Sequence, residues 1–366
     1  MRFFHWHIQS RLWNSPQRCG TIPGLPRPVL FQHATIFVTS STDLSSENLT
    51  SPWPKRIKLV AAWAFGIALL AWLLHKTPFE QVAASFKEPS ASIWLLTLLG
   101  LLGSYGLRAA RLQVVLDLDA LKQAPHRWLG LRTDSLRVIL MHNAAVNLLP
   151  MRAGELSFPW LASRELGMPV SRAIACLLWM RIQDLAVLLL LGLLVWPGLD
   201  MAWRVSGLGL AVVGWFSLNW LLARIPDTPQ THSLLSKIQS ALTERAHHHP
   251  MAWALTAANW CLKLSAGAGL LSAITHATWL QGWAGALAGE LAAVVPLQGP
   301  AGFGTYEAGV WAGMAAHLPA NSTALAHAVS AALALHICFL ICAVLAGLGA
   351  SALSSWNRSA LKASTN

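Results

Sequence analysis

Apolar runs near twenty residues long recur between positions 57 and 351 of this chain. A helix of that length reaches across the roughly 30 Å hydrocarbon core of a bilayer. Six runs are long enough to cross: 57–75, 91–107, 172–196, 204–223, 251–274 and 324–351. Four shorter ones, 137–149, 153–166, 282–297 and 303–318, come as two pairs, each broken by Pro and Gly. Only 11% of residues are charged, against about 25% in a soluble domain. The fold expected is therefore all-α, a polytopic transmembrane helical bundle.

The charges that remain orient the spans. Lys55, Arg56 and Lys58 precede the first run, and residues 108–137 carry Arg108, Arg111, Lys122, Arg127, Arg132 and Arg137. Arg224, Lys237 and Arg245 mark the 224–250 loop, and Arg358 and Lys362 the end. The alternate loops are poorer in cations, so both termini are expected in the cytoplasm. On this reading the formal charge of +11 orients the chain in the membrane, and nucleic acid is not an expected partner. The basic residues Arg108 and Arg111 read first as such anchors and second as contacts to lipid phosphate.

Parity then places residue 137 and Arg172 on one side, and residues 275 and 323 on the other. The short pairs must enter and return on opposite faces. Two re-entrant helical hairpins, related as an inverted repeat, satisfy this, giving six full spans. About ten spans, with each short arm crossing, is the alternative. Broken helices of this kind meet near the midplane of transporters.

Pro150 and Gly154 break the first hairpin; Pro296, Pro300, Gly302 and Gly304 break the second. The helix start after Gly154 offers free N–H groups to an anion, and Arg152 has the planar fork for a phosphate. Glu155 can pair with Arg152 or carry a proton. Glu307 is the matching acid on the second hairpin. Arg181 and Asp184 share a face of the long 172–196 helix, and Lys263 and Glu290 are further charges at membrane depth. The spacings Gly285/Gly289 and Gly309/Gly313 read as packing faces.

Other signals are weaker. The cysteines at 19, 176, 261, 338 and 342 form neither a disulfide framework nor a metal site, and His247, His248 and His249 read as a solvated loop. No cofactor and no metal are expected. No P-loop, H-E-x-x-H or G-x-S-x-G occurs, so the chain is not expected to be an enzyme. Residues 1–56 read as a polar, disordered tail, 57–351 as the membrane domain, and 352–366 as a cytoplasmic tail.

The stretch "NLLPMRAGELSFPWLASRELGMPVSRAIACLLWMRIQDLAVLLLLGLL" resembles the flippase-like membrane region of lysylphosphatidylglycerol synthases. "VVPLQGPAGFGTYEAG" is similar to that family's second signature, and "LRAARLQVVL" to its basic motif. The resemblance implies that Asn147, Arg152, Glu155, Arg181, Asp184 and Glu307 contact substrate. Met180 stands where the family usually has Glu, and Ala301 where it commonly has Gly, which is expected to stiffen the turn. No synthase domain follows residue 351, so the chain resembles the stand-alone members. The resemblance implies translocation of a lipid or amphipathic molecule across the bacterial inner membrane, an anionic headgroup meeting the broken helix ends. The competing classes are an intramembrane lipid-modifying enzyme and a scaffold for envelope lipid assembly. Expected partners are membrane lipids, with a second copy of the chain or a separate lipid-synthesis enzyme as further candidates.

Overall fold

The computed structural model describes residues 78–116, 127–149, 154–224, 249–294 and 300–364, with isolated helical positions at 64, 68, 71, 72 and 75. The 1–56 tail, most of the 57–75 run, Pro150, Arg152, Pro296, His247 and His248 lie outside the described residues. Helices account for nearly all the rest: α1 (Phe79–Lys87), α2 (Ala91–Val115), α3 (Thr133–Leu148), α4 (Ser157–Leu166), α5 (Val170–Val195), α6 (Met201–Arg224), α7 (Pro250–Thr275), α8 (Trp279–Ala292), α9 (Thr305–Ala315), α10 (Thr323–Ala326) and α11 (Ala328–Ser364). One two-residue antiparallel ribbon, Arg127–Trp128 with Leu131–Arg132, interrupts the all-α pattern before α3.

The first pair of short runs forms α3 and α4, and the second forms α8 and α9. Their lengths are 16, 10, 14 and 11 residues. At 1.5 Å per residue each arm is about 15–24 Å long, short of the roughly 30 Å needed to cross. Among the described helices three are long and apolar enough to span: α2, α5, and α11 as far as Ser354. The 26-residue α7 matches them in length. Helix α11 runs on to Ser364, past the apolar run's end at 351; the segment after 351 holds no Pro or Gly to stop it.

In lipid every backbone polar group must be satisfied inside its own helix, and two polar side chains of α2 likewise bond within their own helix. Thr97 donates to the Ile93 carbonyl at 2.8 Å and Ser104 to that of Leu101 at 2.7 Å. At the end of α5, the Arg204 guanidinium donates to the carbonyls of Leu193 and Trp196, both at 2.9 Å, a cation at the negative end of a helix. Leu95, Leu96 and Leu99 of α2 and Leu185 and Leu189 of α5 face outward. On a membrane bundle that is the lipid-facing surface.

Close helix approach depends on small residues. The two G-x-x-x-G spacings of the second hairpin face one another. A methyl at Gly309 would lie 2.8 Å from the Ala288 carbonyl oxygen, and one at Gly313 2.5 Å from that of Ala284. Gly285 and Gly289 are filled from the other side by Met314, Val310 and Tyr306. In the first hairpin, Gly154 matters for proximity: a Cβ there would stand 2.3 Å from the backbone of Ala145 in α3. The turn-permitting glycines are in the second hairpin, where Gly302 has φ +88° and Gly304 φ +87°.

Helix α11 lies against both hairpins, packing on α3 and on α9. Its buried face includes many small residues, among them Ala331, Ala332, Ala334, Ala343 and Ala346. The turn of the second hairpin, Pro300–Gly302, also packs against α3 of the first. The two broken segments therefore meet.

Candidate functional site

A cavity of about 670 Å³ opens where the hairpins meet. The first hairpin contributes Asn143, Asn147 and Glu155, and the second Glu290, Ala301, Gly302 and Tyr306. Ser104, Tyr105 and Arg108 of α2, Arg181 and Asp184 of α5, Lys263 of α7 and His336 of α11 add to its polar lining. Leu101 of α2 and the leucines and isoleucines of α5 line much of the rest.

One chain of charge ties the first hairpin to the bundle. Glu155 lies 2.7 Å from Arg181, whose guanidinium also reaches Asp184 at 3.2 Å. Asp184 takes a further bond from Arg111 at 2.6 Å and one from the Trp260 indole at 3.0 Å. Arg111 also donates to Thr256 at 3.0 Å. Four elements (α4's leading turn, α5, α2 and α7) are thus joined by one buried network. Both Arg111 and Asp184 are nearly closed to solvent, a depth at which an unpaired charge is prohibitive. Arg111 is a core ion-pair partner, which corrects its reading as an interfacial anchor. The sequence signal misled because a cation just after an apolar run looks the same in both roles.

Across the cavity, Lys263 binds Glu290 at 2.7 Å. The ammonium sits over the rings of Phe339 at 4.7 Å and Trp260 at 5.3 Å. Both charges had been placed at membrane depth by the sequence, but their pairing across two helices has no sequence spacing to reveal it.

Arg108 differs from the other cations. Its Nη1 donates to the Asn143 side-chain oxygen at 2.8 Å and its Nε to that of Asn259 at 3.2 Å. Its guanidinium lies 5.6 Å from the Trp260 ring. No carboxylate among the described residues lies within ion-pair distance of it. Neutral amide oxygens orient the fork without cancelling its charge. Counting the whole cluster, four cations (Arg108, Arg111, Arg181, Lys263) meet three carboxylates (Glu155, Asp184, Glu290), and Glu307 is matched by His336. Arg108 supplies the surplus, and it too is a wall of the cavity where the sequence suggested an anchor first.

Among the residues marked out by sequence, Asn147, Glu155, Arg181 and Asp184 line the cavity together. Asn147 also donates to the Asn143 backbone at 2.7 Å, closing the end of α3. Glu307 sits behind the wall, completely buried. One oxygen accepts from the Gly304 N–H at 2.7 Å, capping α9; the other meets His336 Nδ1 at 2.5 Å. His336, Asn143, Arg108 and Tyr306 line the cavity without having been singled out as site residues by sequence. His336 carried one usable signal, an imidazole deep inside the longest apolar run, where the other histidine of that run, His327, lies near its start.

A second, apolar groove of about 720 Å³ runs along α5 and α6, lined by Leu189, Leu193, Leu210 and Leu291 among others. Ile182 and Leu188 border both it and the charged cavity. The arrangement can hold a polar group on one side of that wall and a hydrocarbon chain on the other.

None of the curated proteins compared matches the chain. The family model of the lysylphosphatidylglycerol synthase TM region matches residues 59–347, most of the sequence. The chain therefore belongs to the lysylphosphatidylglycerol synthase transmembrane-region family, membrane proteins linked to lipid handling.

Proposed function

We propose that this protein translocates a lipid or other amphipathic molecule with an anionic headgroup across the bacterial inner membrane, with both termini in the cytoplasm. One observation carries the reading: a charged cavity with a surplus guanidinium shares the Ile182–Leu188 wall with an apolar groove. An anion beside Arg108 would replace the water lost on entering the bundle with charge-assisted bonds. The acyl chains would stay in the groove or in lipid, so only the headgroup needs a protein path. The two hairpins meeting at the cavity fit a site opened alternately from either face. The short hairpin arms support re-entry rather than crossing, and the loop charges favour entry from opposite faces.

The test uses purified protein in phosphatidylcholine vesicles carrying fluorescent phosphatidylglycerol on one leaflet. Movement of intact label, faster than in protein-free vesicles, is expected. Chemical change of the label would favour an intramembrane enzyme instead. Neither change nor movement would favour a scaffold, or a partner enzyme that delivers the activity.

A further inference from the structure

The imidazole of His336 lies between two acceptors. Its Nε2 is 2.9 Å from the carbonyl oxygen of Ala301, and its Nδ1 is 2.5 Å from a carboxylate oxygen of Glu307. A carbonyl can only accept, so Nε2 must carry a hydrogen. The contact at Nδ1 needs a second proton, held by the ring or by the carboxyl group. Either placement leaves the pair neutral. Either placement also satisfies the other Glu307 oxygen, which takes the Gly304 N–H.

These bonds join α11 to the turn of the second hairpin. That turn is held in an unfavourable shape: Ala301 has φ 53° and ψ 17°, the left-handed region that a side chain disfavours. Removing the shared proton would set the Nδ1 lone pair against the carboxylate. The pair could then no longer satisfy both acceptors, and the turn would lose its tie to α11. Ala301, Gly302 and His336 are all cavity wall, so the change would be felt where the headgroup sits.

We infer that Glu307 and His336 form a proton-binding site that fastens the second hairpin to α11, and that the proton is a co-ligand of the headgroup cavity. The proton site stands on its own geometry; its coupling to movement of a headgroup rests on the transport reading above. The surroundings are defined. Tyr306 of α9 and Phe303 of the turn lie against the ring, at 5.2 and 4.4 Å between centroids. Phe339 of α11 is 6.3 Å away and carries Lys263 of α7 on its ring. Glu290 of α8 holds that lysine, and Tyr105 and Arg108 of α2 line the same cavity. The Lys263–Glu290 pair is self-neutralising, and Arg108 is the remaining cation of that wall. Helix α1, also packed on α11, presents Val82 to the apolar cluster beside it.

Hydrogen exchange of residues 300–308, in the full chain in lipid nanodiscs and corrected for intrinsic rates, tests the site without any ligand. Between about pH 6 and about pH 9, wild-type protection should fall roughly tenfold or more, as one charge-assisted bond is lost. Glu307→Gln should keep its protection at both values. Its amide nitrogen can donate to a neutral Nδ1 while its oxygen still accepts from Gly304 N–H, so every bond survives without a titrating carboxyl group. His336→Phe should show low protection at both. Equal wild-type protection at the two values, or a Glu307→Gln response like that of wild type, would overturn the proton site. In vesicles with fluorescent phosphatidylglycerol, an imposed pH gradient should change the wild-type rate and leave that of Glu307→Gln unchanged. Wild-type movement indifferent to the gradient overturns the coupling. Exchange as expected with no movement in any vesicle leaves the proton site standing and removes the transport reading.

Discussion

Arg108 donates a 2.8 Å hydrogen bond to the side-chain oxygen of Asn143, linking α2 to the first hairpin. The same guanidinium is held from α7 by Asn259. A cation fixed by two neutral amides keeps its field for something else. That contrasts with Arg111, one turn further on, whose charge Asp184 absorbs at 2.6 Å.

Asp184→Asn should therefore be costly to the fold. It removes the one carboxylate that Arg111 and Arg181 share and leaves Arg111 buried without a counter-charge. A loss of about 3–5 kcal/mol is expected, read by denaturant titration in detergent. Exchanging the residues at 181 and 184 should not restore stability, because Glu155 and Arg111 would each then face a like charge. Wild-type stability in Asp184→Asn would mean that the network does not hold the helices.

Gly154→Ala and Gly106→Ala should separate sharply. The first would press a methyl against the Ala145 backbone at 2.3 Å, while the second meets nothing within 4 Å. Gly154→Ala should reduce the yield of folded protein severely. Gly106→Ala should be neutral or stabilise by roughly 0.5–1 kcal/mol. Chromatographic recovery and thermal unfolding of the two variants check this.

Ala301→Gly relieves a left-handed residue. Removing the side chain should recover about 1 kcal/mol of backbone strain, offset in part by the greater freedom of glycine when unfolded. Stability should stay level or rise. A clear loss would show that the methyl group packs usefully at the turn.

The segmentation into helices was legible because bilayer thickness imposes a length on apolar runs: α2, α6 and α7 include their sequence-assigned runs, α5 ends one residue short of its run, and the start of the last run forms the separate α10 before α11. The turn of the second hairpin was legible because Gly302 and Gly304 adopt the positive φ that side chains disfavour. Proximity across helices was not. Lys263 with Glu290, Arg108 with Asn143, and Glu307 with His336 each join residues far apart in sequence, and no periodicity encodes such pairs. Gly154 was read as a turn former when its role is to admit the α3 backbone, since both demands select glycine. The resemblance pointed to Glu307, but not to its place behind the cavity wall, because a capping carboxylate and a ligand-binding one look alike in sequence.

Arg152 lies outside the described residues and remains a candidate from its place between Pro150 and Gly154. Arg152→Lys keeps the charge and loses the planar fork. A fall of about tenfold in transport of the anionic probe is expected if it grips a phosphate. An unchanged rate would assign the headgroup to the described cavity wall alone.

The decisive comparison is wild type against Arg108→Gln in vesicles, at matched insertion, with fluorescent phosphatidylglycerol and fluorescent phosphatidylcholine as probes. Gln keeps a polar side chain while removing the surplus charge. Wild type should move the anionic probe faster than the zwitterionic one. Arg108→Gln should lose that preference, with the anionic rate falling about ten- to hundredfold, and Arg108→Lys should lie between. An Arg108→Gln protein that moves the anionic probe at the wild-type rate would contradict the assignment of the cavity as an anionic-headgroup site.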